Sequence, residues 1–174
     1  MPNFILKSAA KSDWPGMIAI HRRARRFELA LGDTEAIPSA LPDLEETLPL
    51  FDGFIWLAQG MNELFGFVAV RDKEIVWLYV DPDHHRLGIG RALLRFAMTK
   101  CGRGVHATMI GGNTAALALY RALGFTVASS EPVNVPGFFA PMSSWRLECH
   151  DLREALQSGG TGQPIPTASR QRKN

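Results

Sequence analysis

The segment DPDHHRLGIGRALL, residues 81–94, carries residue types that can hold an anion. Gly88 and Gly90 stand one residue apart at the head of an amphipathic run, with Arg86 and Arg91 beside them. Glycine disfavours helix, so two of them at a helix start make either a tight turn with solvated arginines or a bare main chain that a ligand can approach closely. A strand pattern runs into this stretch and a helix pattern runs out. Unpaired N–H groups, the positive end of the helix dipole and the arginines therefore converge on one place. That combination suits a diphosphate. Two other phosphate motifs do not fit. A dinucleotide fingerprint needs a third glycine where Leu93 stands and an acidic residue near Thr108 and Met109. A nucleotide-binding loop needs Gly-Lys-Ser/Thr, and Gly90 is followed by Arg91-Ala92.

The elements that must position this cradle are readable from periodicity and punctuation. NFILKSA (3–9) predicts a first strand. Ser12 or Asp13 then caps a helix with Pro15 in its first turn, a buried stripe at Met17, Ile20, Ala24, Phe27 and Leu31, and a stop at Gly32. Residues 33–53 predict a proline-rich cap with a short acidic helix near 42–48. A strand meander follows at 54–59, 63–70 and 74–80, with turns at 60–62 and 72–73, and Pro82 ends it. After the glycine stretch and its helix, to about residue 101, come a strand at 105–110 and a helix capped by Asn113 and stopped by Gly124. Closing strands follow near 126–130 and 141–149. This order predicts a single α+β domain over 1–156 with a mostly antiparallel sheet, followed by a disordered tail over 157–174.

Composition narrows the function classes. The chain is 46% hydrophobic and 21% charged, with a formal net charge of +2. Such a balance favours a soluble globular protein and gives no ground for a nucleic-acid or membrane partner. The basic runs RRARR and SRQRKN lack the interleaved aromatics of a nucleic-acid-binding module. Cys101 and Cys149 fit no metal or redox spacing and read as free thiols of a reducing compartment. With no apolar run of membrane-spanning length and no leader pattern, the expected location is cytoplasmic, and no metal is expected.

The glycine segment, the VDP before it and NTAALALYRALGF after it resemble the GNAT superfamily of acetyl-CoA-dependent N-acetyltransferases, whose acyl-CoA motif is usually Gln/Arg-x-x-Gly-x-Gly/Ala. The resemblance covers roughly residues 64–126 closely and the element order from 3 to 149 loosely. LYVDPD with GFFAPMSSWRLE is similar, more loosely, to small bacterial members of the YjaB type. It implies a mixed, mostly antiparallel sheet of about six to seven strands flanked by about four helices, with a splayed parallel pair at strands four and five. It also implies acetyl-CoA as co-substrate, a small-molecule amine or peptide as acceptor, and a monomer or homodimer. The cofactor-binding residues would be His85, Arg86, Leu87, Gly88, Ile89, Gly90 and Arg91 around the diphosphate, with His85 standing where the family has Gln or Arg. Leu78, Tyr79 and Val80 would act through the backbone of the splayed strand, Leu78 toward the thioester carbonyl, and Asn113 would contact the pantetheine arm.

Acetyl transfer to an amine sets three demands. The amine must be neutral, and an alkyl ammonium with a pKa near 10.4 is neutral only about once in 10³ molecules at pH 7. The oxyanion needs aimed donors, and the leaving thiolate needs a proton or hydrogen bond. Tyr120 lies two helical turns after Asn113 on one helix face. It is either a packing residue beside Leu117 or, as the resemblance implies, the general acid for the leaving sulfur. Glu74 is the candidate base. EIVWLYV resembles the histone-type members' Glu-Val-Ala-Phe-Leu-Ala-Val pattern, and strict alternation would put Glu74, Val76, Leu78 and Val80 on one face. A solvated glutamate beside a hairpin turn is the competing reading. His84, His85 and His106 titrate in a useful range, but the first two lie on the phosphate side. Arg22, Arg23, Arg25 and Arg26 either select an acidic acceptor or form a solvated basic face. Trp14, Trp56, Trp77, Phe138 and Phe139 divide between core and acceptor wall, with the Gly137–Phe139 loop the best wall candidate. An acyl-CoA binder without catalysis is the alternative to an enzyme.

Overall fold

A computed structural model describes residues 3–30, 44–111, 113–134 and 142–150. The expected tail over 157–174 and the Gly137–Phe139 loop lie outside the described residues, as does the expected helix stop at Gly32.

Among the described residues seven strands form one sheet: β1 (Ile5–Ser8), β2 (Phe54–Gln59), β3 (Leu64–Arg71), β4 (Glu74–Val80), β5 (His106–Ile110), β6 (Phe125–Val133) and β7 (Met142–Cys149). Their spatial order is β1-β2-β3-β4-β5-β7-β6, so the last strand inserts between β5 and β6. All neighbours are antiparallel except β4 and β5. Among the described residues four α-helices cover the two faces: α1 (Trp14–Ala30), α2 (Leu44–Thr47), α3 (Ile89–Cys101) and α4 (Thr114–Arg121). The α+β architecture expected from the sequence, with its parallel pair at the fourth and fifth strands, is the one observed.

Two apolar clusters hold these layers together. Leu93, Leu94, Ala97 and Met98 of α3 pack with Val68, Val70, Ile75 and Ala107 of the sheet and with Leu117 and Tyr120 of α4. On the other face, Met17 and Ile20 of α1 and Leu44 of α2 pack with Leu57 and Phe67, and Trp77 and Tyr79 join them. The continuous burial of Phe65 through Val70 follows from β3 being covered on both faces. Gly66 is forced by close approach, since a Cβ there would stand 2.6 Å from the Tyr79 carbonyl oxygen.

One local feature departs from strict strand alternation. Ala69 pairs with Trp77 while Val70 pairs with Ile75, which leaves Val76 as a bulge. Ile75 therefore shares the α3 face with Leu78 and Val80, and Trp77 and Tyr79 share the α1 face. Glu74, next to Ile75, is thrown to the face opposite Leu78 and Val80. The expectation that all four alternate positions share a face is corrected by that single inserted residue.

Candidate active site

The parallel contact between β4 and β5 is short. Only Glu74 with His106 and Ile75 with Ala107 are paired, and beyond Ile75 the two strands separate. β5 keeps its full register with β7 and β4 stays paired with β3, so the gap opens between the edges that β4 and β5 turn to each other. The direction of its backbone groups follows from the other edge. The Asp81 N–H donates to the Phe65 carbonyl at 2.8 Å, which makes Asp81 and Phe65 a hydrogen-bonded pair. Antiparallel alternation then makes Tyr79–Phe67 and Trp77–Ala69 bonded pairs, and turns the backbone groups of Leu78 and Val80 away from β3 toward the gap.

At the mouth of this gap lies the glycine loop. Gly88 is the N-cap of α3 at φ 81°, and Arg86, which has no glycine's freedom, also sits in the left-handed region at φ 62°. The first bond into the helix runs from the Ala92 N–H to the Gly88 carbonyl, 3.0 Å. Among the described residues, no amide from Arg86 to Arg91 donates to a protein acceptor, and neither arginine side chain forms an ion pair. Gly90 is where three elements meet: a Cβ there would lie 3.3 Å from Leu119 of α4 and 3.5 Å from Val80 of β4. The cradle, the open edge and the fourth helix are thus in van der Waals reach of one another.

The side chains divide in ways the sequence did not settle. His85 turns its Nε2 onto the Val80 carbonyl at 3.1 Å, and because a carbonyl only accepts, Nε2 carries the hydrogen. It ties the loop to the end of β4. Asn113 Oδ1 accepts the Ala116 N–H at 2.9 Å and caps α4. Tyr120 is only 6% exposed, edge-on to Phe125 at 5.1 Å, and its hydroxyl has no hydrogen-bond partner among the described residues. Burial first, and then the nearby Tyr79 phenol, push its pKa well above the ordinary tyrosine value. It stays a protonated donor.

Glu74 stands at the closed end of the gap, where its Oε1 accepts the Thr108 hydroxyl at 3.1 Å. His84 packs on Phe65 at 4.4 Å between ring centres, and His106 Nδ1 lies 3.2 Å from the Gly104 carbonyl, so neither faces the glycine loop. Arg22 pairs with Glu45, and Arg23 reaches both Asp81 and Asp83, each arginine keeping about half of its side chain exposed. Trp77 stacks obliquely on Phe51 at 4.7 Å, and the two line a cavity of about 280 Å³ with Thr47, Leu50, Arg71 and Val76. This cavity lies on the α1–α2 face, beside the bulge. Trp56 instead joins the α3 cluster against Phe96, and Trp14 packs in the α1 cluster.

Sequence reasoning missed His21, 4% exposed and edge-on to Tyr79 at 4.8 Å, and Asp81, 6% exposed with its carboxylate held by Arg23. Polar residues inside the otherwise apolar α1 stripe and at a strand exit were the available signals.

Comparison with known proteins agrees with this geometry. Residues 51–127 match the family model described as an acetyltransferase (GNAT) domain. Over 95 residues the chain is 30% identical to the peptidyl-lysine N-acetyltransferase YjaB of Salmonella typhimurium, a match that spans 53% of this chain and 65% of that protein, just under two thirds of its length. The solution structure of apo YjaB from Escherichia coli superposes with a TM-score of 0.64 at 20% identity, covering 83% of this chain and 96% of that one. The structure of yncA from Salmonella typhimurium with acetyl-CoA superposes with a TM-score of 0.61 at 22% identity, covering 86% and 95%. Sheet order, opened parallel pair and glycine loop agree with that similarity to an acetyltransferase (GNAT) domain, which the sequence match carries over residues 51–127.

Proposed function

We propose that this chain is a cytoplasmic N-acetyltransferase that moves the acetyl group of acetyl-CoA directly to a primary amine in a ternary complex. The observation that carries the reading is the opening of β4 from β5 beyond Ile75, with unpaired amides at its mouth and the Tyr120 phenol buried on α4. The amides of residues 86–91, with Arg86 and Arg91, would hold the diphosphate. Open-edge groups of Leu78 and Val80 would bind the pantetheine arm, and the Leu78 N–H would donate to the thioester oxygen as it gains charge. Asn113 would shape the arm's path from the cap of α4. Tyr120 would donate to the sulfur as the thiolate leaves.

Direct transfer is favoured over an acetyl-cysteine intermediate. Burial raises the Cys101 pKa, only partly offset by Lys73, and Cys101 lies at the end of α3 remote from the glycine loop. Cys149 is buried against the Leu123 carbonyl. Neither thiol is primed as a nucleophile.

The acceptor approaches from the α1–α2 face, where the cavity at Trp77 and Phe51 and the Tyr79 side chain lie. The bulge puts Glu74 on this face, so we assign it the role of base acting through water. Glu74→Gln is expected to lower kcat/KM at least about tenfold while the dissociation constant for CoA stays within about twofold. Full activity in that variant would remove Glu74 from the mechanism.

The function itself is tested by thiol release from acetyl-CoA with a panel of small amines, amino acids, amine antibiotics and lysine or free N-terminal peptides. The lysine peptides earn their place because the YjaB relative is a peptidyl-lysine enzyme. Thermal stabilisation by CoA with no thiol release for any acceptor would favour the acyl-CoA-binding alternative.

A further inference from the structure

We propose that Arg23, on the helix walling the acceptor side, is the positioning residue for the diphosphate cradle. The proposal rests on the reading that residues 86–91 receive the diphosphate of acetyl-CoA. Eight residues, 81–88, join β4 to α3, and within them Arg86 and Gly88 are held at φ 62° and 81°. A non-glycine residue in that region persists only where its surroundings fix the chain on both sides. Downstream, α3 is fixed by its buried face. Upstream, the turn is held by His85 on the Val80 carbonyl, by His84 on Phe65 and, with the most bonds, by Asp81. Its N–H donates to Phe65, its carbonyl accepts the His84 N–H at 2.8 Å, and its Oδ1 accepts the Asp83 N–H at 3.0 Å. Its Oδ2 accepts Arg23 Nη1 at 2.8 Å, and Arg23 Nη2 donates to Asp83.

One guanidinium thus spans two carboxylates that face each other at the entrance to an anion-binding loop. Arg23 does two things there: it pins the turn to α1, and it offsets one of the two negative charges that would repel the diphosphate. A lysine could supply the charge but not the fork that reaches both partners. The pantetheine-binding edge of β4 lies before Asp81 and is held by β3 independently of this clamp.

That separation supplies the test. Wild type, Arg23→Gln and Arg23→Lys are compared with two donors, acetyl-CoA and S-acetylpantetheine, which lacks the diphosphate. Arg23→Gln is expected to lower kcat/KM for acetyl-CoA at least about tenfold while leaving that for S-acetylpantetheine within about twofold, and Arg23→Lys to lose about threefold with acetyl-CoA alone. Equal losses with both donors would mark Arg23 as a residue of general stability, and no loss would mark it as a surface ion pair; either result overturns the proposal. Should Arg23→Gln fail to fold, the Lys variant decides by the same comparison. Calorimetric binding of CoA to the wild type separates the two levels. Absence of binding overturns the cradle reading and this proposal together, whereas tight binding with an indifferent Arg23→Lys overturns this one alone.

Discussion

Tyr120→Phe is expected to lower kcat at least about tenfold while the dissociation constant for CoA stays within about twofold. Phenylalanine keeps the ring that packs edge-on against Phe125, so the fold of α4 and the gap beside it should survive. What it removes is a hydroxyl without a protein partner among the described residues, on a side chain only 6% exposed, where the leaving sulfur is proposed to form. The direction of the pKa shift refines the role. A free thiol has a pKa near 8.5 and tyrosine ordinarily about 10, and burial moves Tyr120 further up. Full proton loss from this phenol to a thiolate is therefore uphill. The hydroxyl acts as a hydrogen-bond donor that stabilises charge as it develops on sulfur, and about tenfold corresponds to about 1.4 kcal/mol of that stabilisation. The sign fixes the pH dependence as well. Because the donor is lost only on deprotonation, any alkaline limb due to Tyr120 lies above about pH 10. A limb near pH 8 that disappears in the Phe variant would contradict the assignment, as would full activity in that variant.

The order of elements was readable because each rests on local chemistry: the Met17–Ile20–Ala24 stripe of α1, the Asn113 cap of α4, and the glycine loop before α3. The helix after Asn113 ends at Arg121, earlier than the sequence reading, because residues 122–124 turn through Gly124 at φ 79° to start β6. What stayed hidden depends on tertiary placement. The bulge at Val76 leaves no mark in EIVWLYV, yet it decides which face Glu74 occupies. Arg23 and Asp81 are separated by 58 positions, so RRARR could be read only as a charge run. His85 departs from the Gln or Arg of the GNAT motif that this segment resembles, and only the structure shows the imidazole engaged with the Val80 carbonyl. Local periodicity specifies elements; the partners of long polar side chains are chosen by the packing of those elements, which no local window contains.

Gly90→Val is expected to weaken CoA binding at least about tenfold, with Gly90→Ala intermediate. Gly90 is helical and carries no positive φ, so the effect does not arise from backbone strain. It arises from space. The Cβ of an alanine would meet Leu119 at 3.3 Å and Val80 at 3.5 Å, a fit that needs the Leu119 methyl to yield by a few tenths of an ångström. The two γ-carbons of valine reach further and must push α4 or the end of β4 aside. Either displacement reshapes the mouth of the gap, because Val80 carries the last open-edge groups and its carbonyl anchors His85. At Gly88, φ 81°, any L side chain would instead cost about 1–2 kcal/mol of backbone strain with no such wedge. Gly88→Ala should thus lower thermal stability and CoA affinity together, whereas Gly90→Val should act chiefly on affinity. Isothermal titration with CoA beside a melting curve without it reads both quantities, and a Gly90→Val protein that binds CoA as tightly as the wild type would place the diphosphate somewhere other than this loop.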